Sequence, residues 1–329
     1  VNSGKYALNA KYSDNFNAAT RNSSEGILEV QQSVNDGTTD NGNNGDVLNF
    51  PYNGGPAGCC GFHQPSQDLV NHFQVTAAGI PDLTLTPSTL PDFKNDDGLA
   101  SKDPFTPDTT TPVDPRLDRT VGRRGIPYLD WGKHPGSNWI RSQSYAGPYS
   151  PIKNTFYQSQ IGSLTSSSGW TGGYNANNTK LIRLSDVMLQ LAEAEVELGN
   201  LGRALELVNM IRTRAANTAD WVMDGSAYAA NYTISNYPSF PDADYARKAV
   251  RWERRIELGM EGHRFFDLVR WGVAADVKTA YYAHEGVKRP YLKNGTFKAG
   301  VSEIQPIPTK AITLSSIGGK ATLTQNPGY

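Results

Sequence analysis

Apolar residues recur at helical spacing in one stretch of this chain. Leu184, Met188, Leu191 and Leu198 mark a single stripe, the pattern of a helix that buries one face. Gly199-Asn200-Leu201-Gly202 breaks that stripe with a short turn, and Ala204, Leu205, Val208, Ile211 and Ala215 start another. The pair predicts an antiparallel helical hairpin. Asp244 is placed to cap a third long helix with Ala246, Ala249, Val250, Ile256 and Met260 inward. A fourth helix is expected from Gly262, carrying Phe265, Leu268 and Val269.

Before residue 181 the pattern is different. Asp36-Gly37, Asn41-Gly42-Asn43-Asn44-Gly45, the run from Pro51 to Gly61, and Gly172-Gly173 punctuate the chain and leave room only for short elements. Pro65 to Phe73 fits a short helix after a Ser66 cap, with Leu69, Val70 and Phe73 at helical spacing. Gly26 to Val34 alternates in a way that leaves strand and helix undecided. The tail from Tyr281 to Tyr329, with Pro306, Pro308 and Pro327, shows no helical period. Three regions follow: a loop-rich segment 1–180, a helical segment 181–278 and an irregular tail 279–329. The expected class is mostly α, a tetratricopeptide-type helical scaffold with long irregular loops and little β.

Charge narrows the function. The 329 residues carry 31 Lys and Arg against 32 Asp and Glu, a net charge of -1, so there is no basic surplus for a phosphate backbone or an anionic membrane surface. Nucleic acid is not an expected partner. Charged residues are only 19% of the chain, below the roughly 25% of an average domain, which suits a neutral, hydroxyl-rich ligand. No apolar run is long enough to span a bilayer as a helix. The first residues lack the basic and apolar regions of a signal peptide.

Candidate chemistry is sparse. Cys59 and Cys60 are adjacent, which excludes a disulfide framework, a CxxC motif and a four-cysteine zinc site. Two ordinary thiols are the plain reading, and a vicinal disulfide stiffening a ligand loop is the alternative. Asp36, Asp40, Asn41, Asn43, Asn44 and Asp46 form an oxygen-rich loop. Their spacing departs from an EF-hand, so a solvated loop is expected before a calcium site, and no metal or cofactor is assigned. No nucleophile elbow, zinc-protease, P-loop or dinucleotide signature is present.

Three blocks carry a family resemblance. The first runs from Arg183-Leu184 to Glu193-Ala194 and on through Leu198-Gly199-Asn200, Ala204-Leu205, Asn209 and Ile211 to Ala215. The second is Glu253 to Leu258 with Glu261 to Gly272, and the third is Glu303 to Pro308 with Leu323 to Tyr329. Together they resemble the SusD/RagB family of outer-membrane nutrient-binding lipoproteins. Asn2 to Tyr6, Tyr12 to Phe16, Asn22 to Glu25, Pro65 to Phe73 and Asp114 to Asp118 are similar to upstream pieces of that family. Family members normally begin with a lipoprotein signal, an acylated cysteine and further helices, so the chain reads as the C-terminal part of a longer protein. Ala57-Gly58-Cys59 is not read as the acylation site, because no apolar segment precedes it.

The resemblance implies a non-catalytic surface protein of a Bacteroidetes-type outer membrane. It would capture a neutral oligo- or polysaccharide and deliver it to a SusC-like, TonB-dependent transporter, with the membrane reached only through a lipid anchor outside this chain. A protein-interaction scaffold and a binder of another nutrient such as peptide are the alternatives. A glycoside hydrolase using Asp92 and Asp130 ranks below both. The charged run from Glu253 to Arg270 is expected to form ion pairs such as Glu261 with Arg264 and Asp267 with Arg270, not an active site. His263 is read as a helix-packing histidine, and Trp252 and Trp271 as structural.

Sugar rings present an apolar face and a hydroxyl rim, so flat aromatic platforms with polar neighbours recognise them. Aromatic residues are 10% of the chain, and rings stand in loops at Phe50 to His63, Tyr128 to Trp131, Asn138-Trp139, Tyr145 to Tyr149 and Trp170 to Tyr174. From loop position and composition we select Tyr52, Phe62, His63, Tyr128, Trp131 and Trp139 as platform residues. Arg123, Asp130 and Asn138 are selected as hydrogen-bonding partners.

Overall fold

Glycine and proline decide where the early elements stop in the computed structural model, which describes residues 4–38, 42–86, 89–169 and 171–329. Only about a turn of helix forms at a time: α1 (Asn44–Val47), α2 (Gln67–Asn71), α3 (Leu117–Thr120) and α4 (Gln143–Ala146). Ser66 caps α2 as its sequence predicts, accepting from the Leu69 amide at 3.2 Å. The undecided segment settles as a strand, β1 (Gly26–Val30), followed by β2 (Val121–Gly122), β3 (Ser150–Pro151), β4 (Thr165–Ser166), β5 (Tyr174–Asn175) and β6 (Thr179–Arg183). They pair antiparallel in twos, β1 with β6, β2 with β3 and β4 with β5. In the longest ladder Gly26 faces Arg183 and Leu28 faces Ile182.

Three long helices follow where the apolar period is regular: α5 (Leu184–Glu197), α6 (Leu201–Ala215) and α7 (Ala243–Glu257). Gly199 ends α5 in a left-handed conformation at φ +79°, which a glycine adopts without a steric penalty. Asp242 rather than Asp244 caps α7, its side chain accepting from the Tyr245 amide at 2.8 Å. Met260 lies beyond the end of α7 at φ +68°, so it is not on the inward stripe. Between α6 and α7, β7 (Met223–Asp224) and β8 (Ala227–Tyr228) form a hairpin.

One core joins both halves. Val70, Phe73, Leu117 and Val121 from the loop-rich segment are buried with Met188, Leu189, Leu207, Val208, Ile211, Val250 and Ile256 of the long helices. Each such side chain contributes about 1.5–3 kcal/mol on burial. Trp252 lies in this core and donates its indole N–H to the His72 carbonyl at 3.0 Å.

Beside that core runs a buried ion network. Glu257 accepts from Arg116 at 2.9 Å, Arg183 at 2.6 Å and Arg214 at 2.5 Å. Glu253 bridges Arg116 and Arg212, and Glu25 bridges Arg183 and Arg214. Glu261 pairs with Arg183 at 2.8 Å and with Lys153 at 2.6 Å, so its carboxylate is engaged by partners other than the expected Arg264. Burial opposes ionisation of Glu261, but Arg183 and Lys153 outweigh it and bring its carboxyl down to about 2.

By compactness the chain divides into two units, Val1–Gly262 and His263–Tyr329. The second unit holds α8 (Arg264–Arg270), α9 (Ala274–Glu285) and α10 (Thr309–Leu314). Asp267 and Arg270 form the expected pair at 2.9 Å. Arg264 and Arg270 flank the Trp271 ring. The tail is held by side chain to backbone bonds, Gln325 pairing with both the N–H and the carbonyl of Ile307. None of the helices is long and apolar enough to cross a membrane among the described residues.

Candidate functional site

The loop-rich segment has its own small cores, and they decide which rings are available. Val47, Phe50, Phe156 and Tyr174 form one, while Tyr128, Trp139 and Ile152 form another. Trp131 packs against both, donating its indole N–H to the Phe156 carbonyl at 2.9 Å. It is carried on a tight turn in which the Tyr128 amide donates to Gly132 and Leu129 takes a left-handed φ of +51°. A leucine adopts that conformation at a cost, and the anchored rings on either side maintain it.

Three of the predicted site residues are structural. Tyr128 is fully buried, its hydroxyl donating to the Pro151 carbonyl and bonded to Thr155. Trp139 is buried edge-on against Tyr128 and His134, at ring separations of 5.4 and 5.2 Å. Arg123 is buried in a two-point pair with Asp118, at 2.6 and 2.9 Å, and donates further to the Asp108 carbonyl. The Tyr128 hydroxyl and the Arg123 guanidinium are already engaged, and the Trp139 ring is packed against Tyr128 and His134.

Others reach the surface. Phe62 is 57% exposed, Tyr52 and His63 are half-buried, and Asn138 is exposed. Burial lowers the His63 pKa, which favours its neutral form. Asp130 is exposed but committed, accepting from the Gln158 and Ser159 amides. Asp92, its suggested partner in hydrolysis, accepts from Asn71 at 2.9 Å. The two carboxylates serve different contacts, Asp130 the backbone at 158–159 and Asp92 the Asn71 side chain on α2.

Two surface residues that the sequence reading did not select complete the arrangement. The Arg141 guanidinium stands 4.2 Å from the Phe62 ring centre and 5.5 Å from that of Tyr52, a cation against two aromatic faces. Tyr145, on α4, is 59% exposed, and Gln64 ties the two loops by donating to the Gly147 carbonyl at 2.8 Å. Backbone bonds fix the base, from the Tyr52 amide to Trp139, the Gly61 amide to Phe50 and the Phe62 amide to Leu48. Gly61, at φ +66°, lets the loop pass close to its neighbours, since a Cβ there would meet Tyr52 at 3.0 Å and Arg141 at 3.1 Å. The missed signal was Arg141 in Trp139-Ile140-Arg141, a lone cation in a ring-rich loop.

The oxygen-rich loop is occupied by its own turns. Asn43 caps α1, accepting from the Asp46 amide at 3.1 Å. Asp36 accepts from Ser33 and Thr38. Asp46 is buried and accepts from Asn154 at 2.7 Å, and burial pushes its carboxyl up to about 7. Asp40 and Asn41 lie outside the described residues, as do Trp170 and the Asn2-Ser3 pair. Among the described residues no group of three or more His, Cys, Asp or Glu side chains could hold a metal.

Two surface depressions lie apart from these rings. One of about 720 Å³ runs along α6 past Leu8, Leu205 and Met210. The other, of about 610 Å³, is lined by Asp82, Asp242, Tyr245 and Lys248. Neither contains a predicted site residue.

Comparison with known proteins gives a consistent result. The model of the SusD family matches residues 24–329. The SusD-like protein P25 of Formosa agariphila is 30% identical over 149 residues, which is 44% of this chain and 25% of that protein. A surface glycan-binding protein A from Bacteroides fluxus aligns over 99% of this chain and 56% of its own, with a TM-score of 0.62 and 21% identity. A laminarin binding SusD-like protein aligns over 99% and 55%, with a TM-score of 0.54 and 23% identity. The chain thus spans about a quarter of the length of that curated relative and about half of the solved structures.

Proposed function

The chain belongs to the SusD family, and from that membership we propose that it is a non-catalytic glycan-binding protein whose platform is formed by Phe62, Tyr52 and Arg141. The observation that carries this reading is an exposed phenylalanine ring backed by a guanidinium at 4.2 Å. A sugar ring lays its C–H face on such a ring, and the remaining guanidinium N–H groups donate to hydroxyls at its rim. Tyr145, His63 and Asn138 extend the polar and aromatic border, and Trp131 with Asp130 supports the adjoining loop. The two glycan-binding structural neighbours support the ligand class.

In this reading the protein works at the outer surface of a Bacteroidetes-type outer membrane, tethered by a lipid outside this chain. It hands its cargo to a SusC-like TonB-dependent transporter. Modest affinity serves that role, because a ligand held by one stacking contact and a few hydrogen bonds is also released.

Calorimetric titration with laminarin and a panel of other neutral polysaccharides tests the proposal. Binding is expected for the wild type, and Phe62→Ala is expected to weaken it by about 1 kcal/mol or more. Absence of binding across the panel, for this chain and for the full-length protein, would sink the glycan reading.

A further inference from the structure

The Pro51–Gly61 loop carries Tyr52 and leads directly into Phe62. Asn53, Gly54, Gly58 and Gly61 all take positive φ, and chain with so much freedom is costly to order. Cys59 and Cys60 are bonded to each other within it, and neither is free. Closing neighbours into one ring restricts rotation on both sides of the peptide that joins them.

The next peptide unit joins the loop to the platform. Its N–H, from Gly61, donates to the Phe50 carbonyl at 2.8 Å. Its carbonyl, from Cys60, accepts from Arg141 Nη1 at 2.9 Å. A planar amide points these two groups in opposite directions, so one rigid unit spans the space between the small aromatic core and the guanidinium that stacks on Phe62.

We propose that the Cys59–Cys60 disulfide is a positioning element for Arg141, making ligand binding by this platform sensitive to a dithiol. The inference rests on the platform reading above. Cys59 is half-buried and Cys60 buried, so attack comes at Cys59. A dithiol thiolate bonds to the Cys59 sulfur and the S–S bond breaks, releasing the Cys60 thiolate, which takes up a proton. The second thiol of the reagent then displaces Cys59 and closes the reagent into its own disulfide. Two electrons and two protons pass from reagent to protein. The bond suits a protein exported to an oxidising surface.

The experiment compares wild type and Arg141→Ala, each with and without dithiothreitol. Peptide mass comes first, and the untreated peptide containing both cysteines should be two hydrogens lighter than the treated one. Amide exchange at Gly61 and Phe62 should rise about tenfold or more on reduction. Laminarin affinity should fall by about threefold to tenfold in the wild type and stay unchanged by reduction in Arg141→Ala, where the positioned group is gone. A Cys59→Ala, Cys60→Ala double variant should reproduce the reduced wild type. Two thiols in the untreated protein, unchanged exchange on reduction, or an equal affinity loss in both backgrounds would each overturn the inference. If laminarin binds neither form, exchange alone decides it, and the missing affinity counts against the glycan reading instead.

Discussion

Two places in this chain, the ion network beside the long helices and the surroundings of Asp46 and Asp96, bury carboxylates and treat them in opposite ways. Beside the long helices, burial of Glu257 and Glu261 is outweighed by arginines, or by an arginine and a lysine, so both are held below the ordinary glutamate range, Glu261 at about 2. In the loop-rich segment, burial dominates at Asp46 and Asp96, and their carboxyls rise to about 7 and about 6. Partners make the difference: Asp46 is met by the amides of Asn154 and Asn175, and Asp96 has Arg124 no nearer than 3.8 Å. Fixed charge therefore holds the carboxylates beside the long helices, and neutral hydrogen bonds hold Asp46, while the loop-rich segment has local ion pairs of its own such as Asp118 with Arg123.

The largest expected effect tests the scaffold side of this contrast. Glu257→Ala leaves Arg116, Arg183 and Arg214 facing one another in the interior and is expected to cost about 3–5 kcal/mol, read from urea unfolding. An equal or smaller cost than that of Asp46→Ala would break the contrast.

Trp131→Ala probes the loop side. It removes the ring shared by two small cores and is expected to cost about 3 kcal/mol. Hydrogen exchange should then speed up around Phe156 while α5 and α6 keep their protection. Uniform loss of protection would mean that the two regions unfold as one.

The smallest effect separates the regions by pH. Asp46 has a folded value of about 7, raised above 3.8, so its contribution is complete below about pH 4 and is lost as pH rises through 7. Glu261 is depressed from 4.5 to about 2, so its contribution is complete above about pH 5 and is lost as pH falls toward 2. Between pH 5 and 8 the stability of wild type relative to Asp46→Asn should fall with rising pH, by about 2 kcal/mol across the range, as read from urea unfolding of the two proteins in parallel. Glu261→Gln should lower stability by a constant amount above about pH 5 and change the slope only in the acid limb.

The same contrast explains what was legible in the sequence. Regular apolar spacing exposes α5, α6 and α7, and Ser66 announces its own cap, because a helix repeats its demands every turn. The tail helix α10 is too short to show a period. In the loop half nothing repeats, so Tyr128, Trp139 and Arg123 look the same in sequence as Phe62, and only folding sends the first three inward. Arg141 was passed over because its role depends on rings 79 and 89 positions away in sequence at Phe62 and Tyr52. The ion network was legible as ion pairing of the charged run from Glu253 to Arg270 but not in its real partners, which come from Glu25, Arg116 and Arg183.

Arg183 sets a timetable as well as a structure. Its carboxylate partners are Glu25, 158 residues earlier, and Glu257 and Glu261, 74 and 78 residues later. Contacts of such separation close late, after the chain has paid for a long loop. A polypeptide emerging from its N-terminus therefore carries Glu25 without its guanidinium partner until β6 is made, and Arg183 without Glu257 until α7 is complete. Assembly of this region is expected to be slow, governed by topology rather than by the intrinsic speed of its helices.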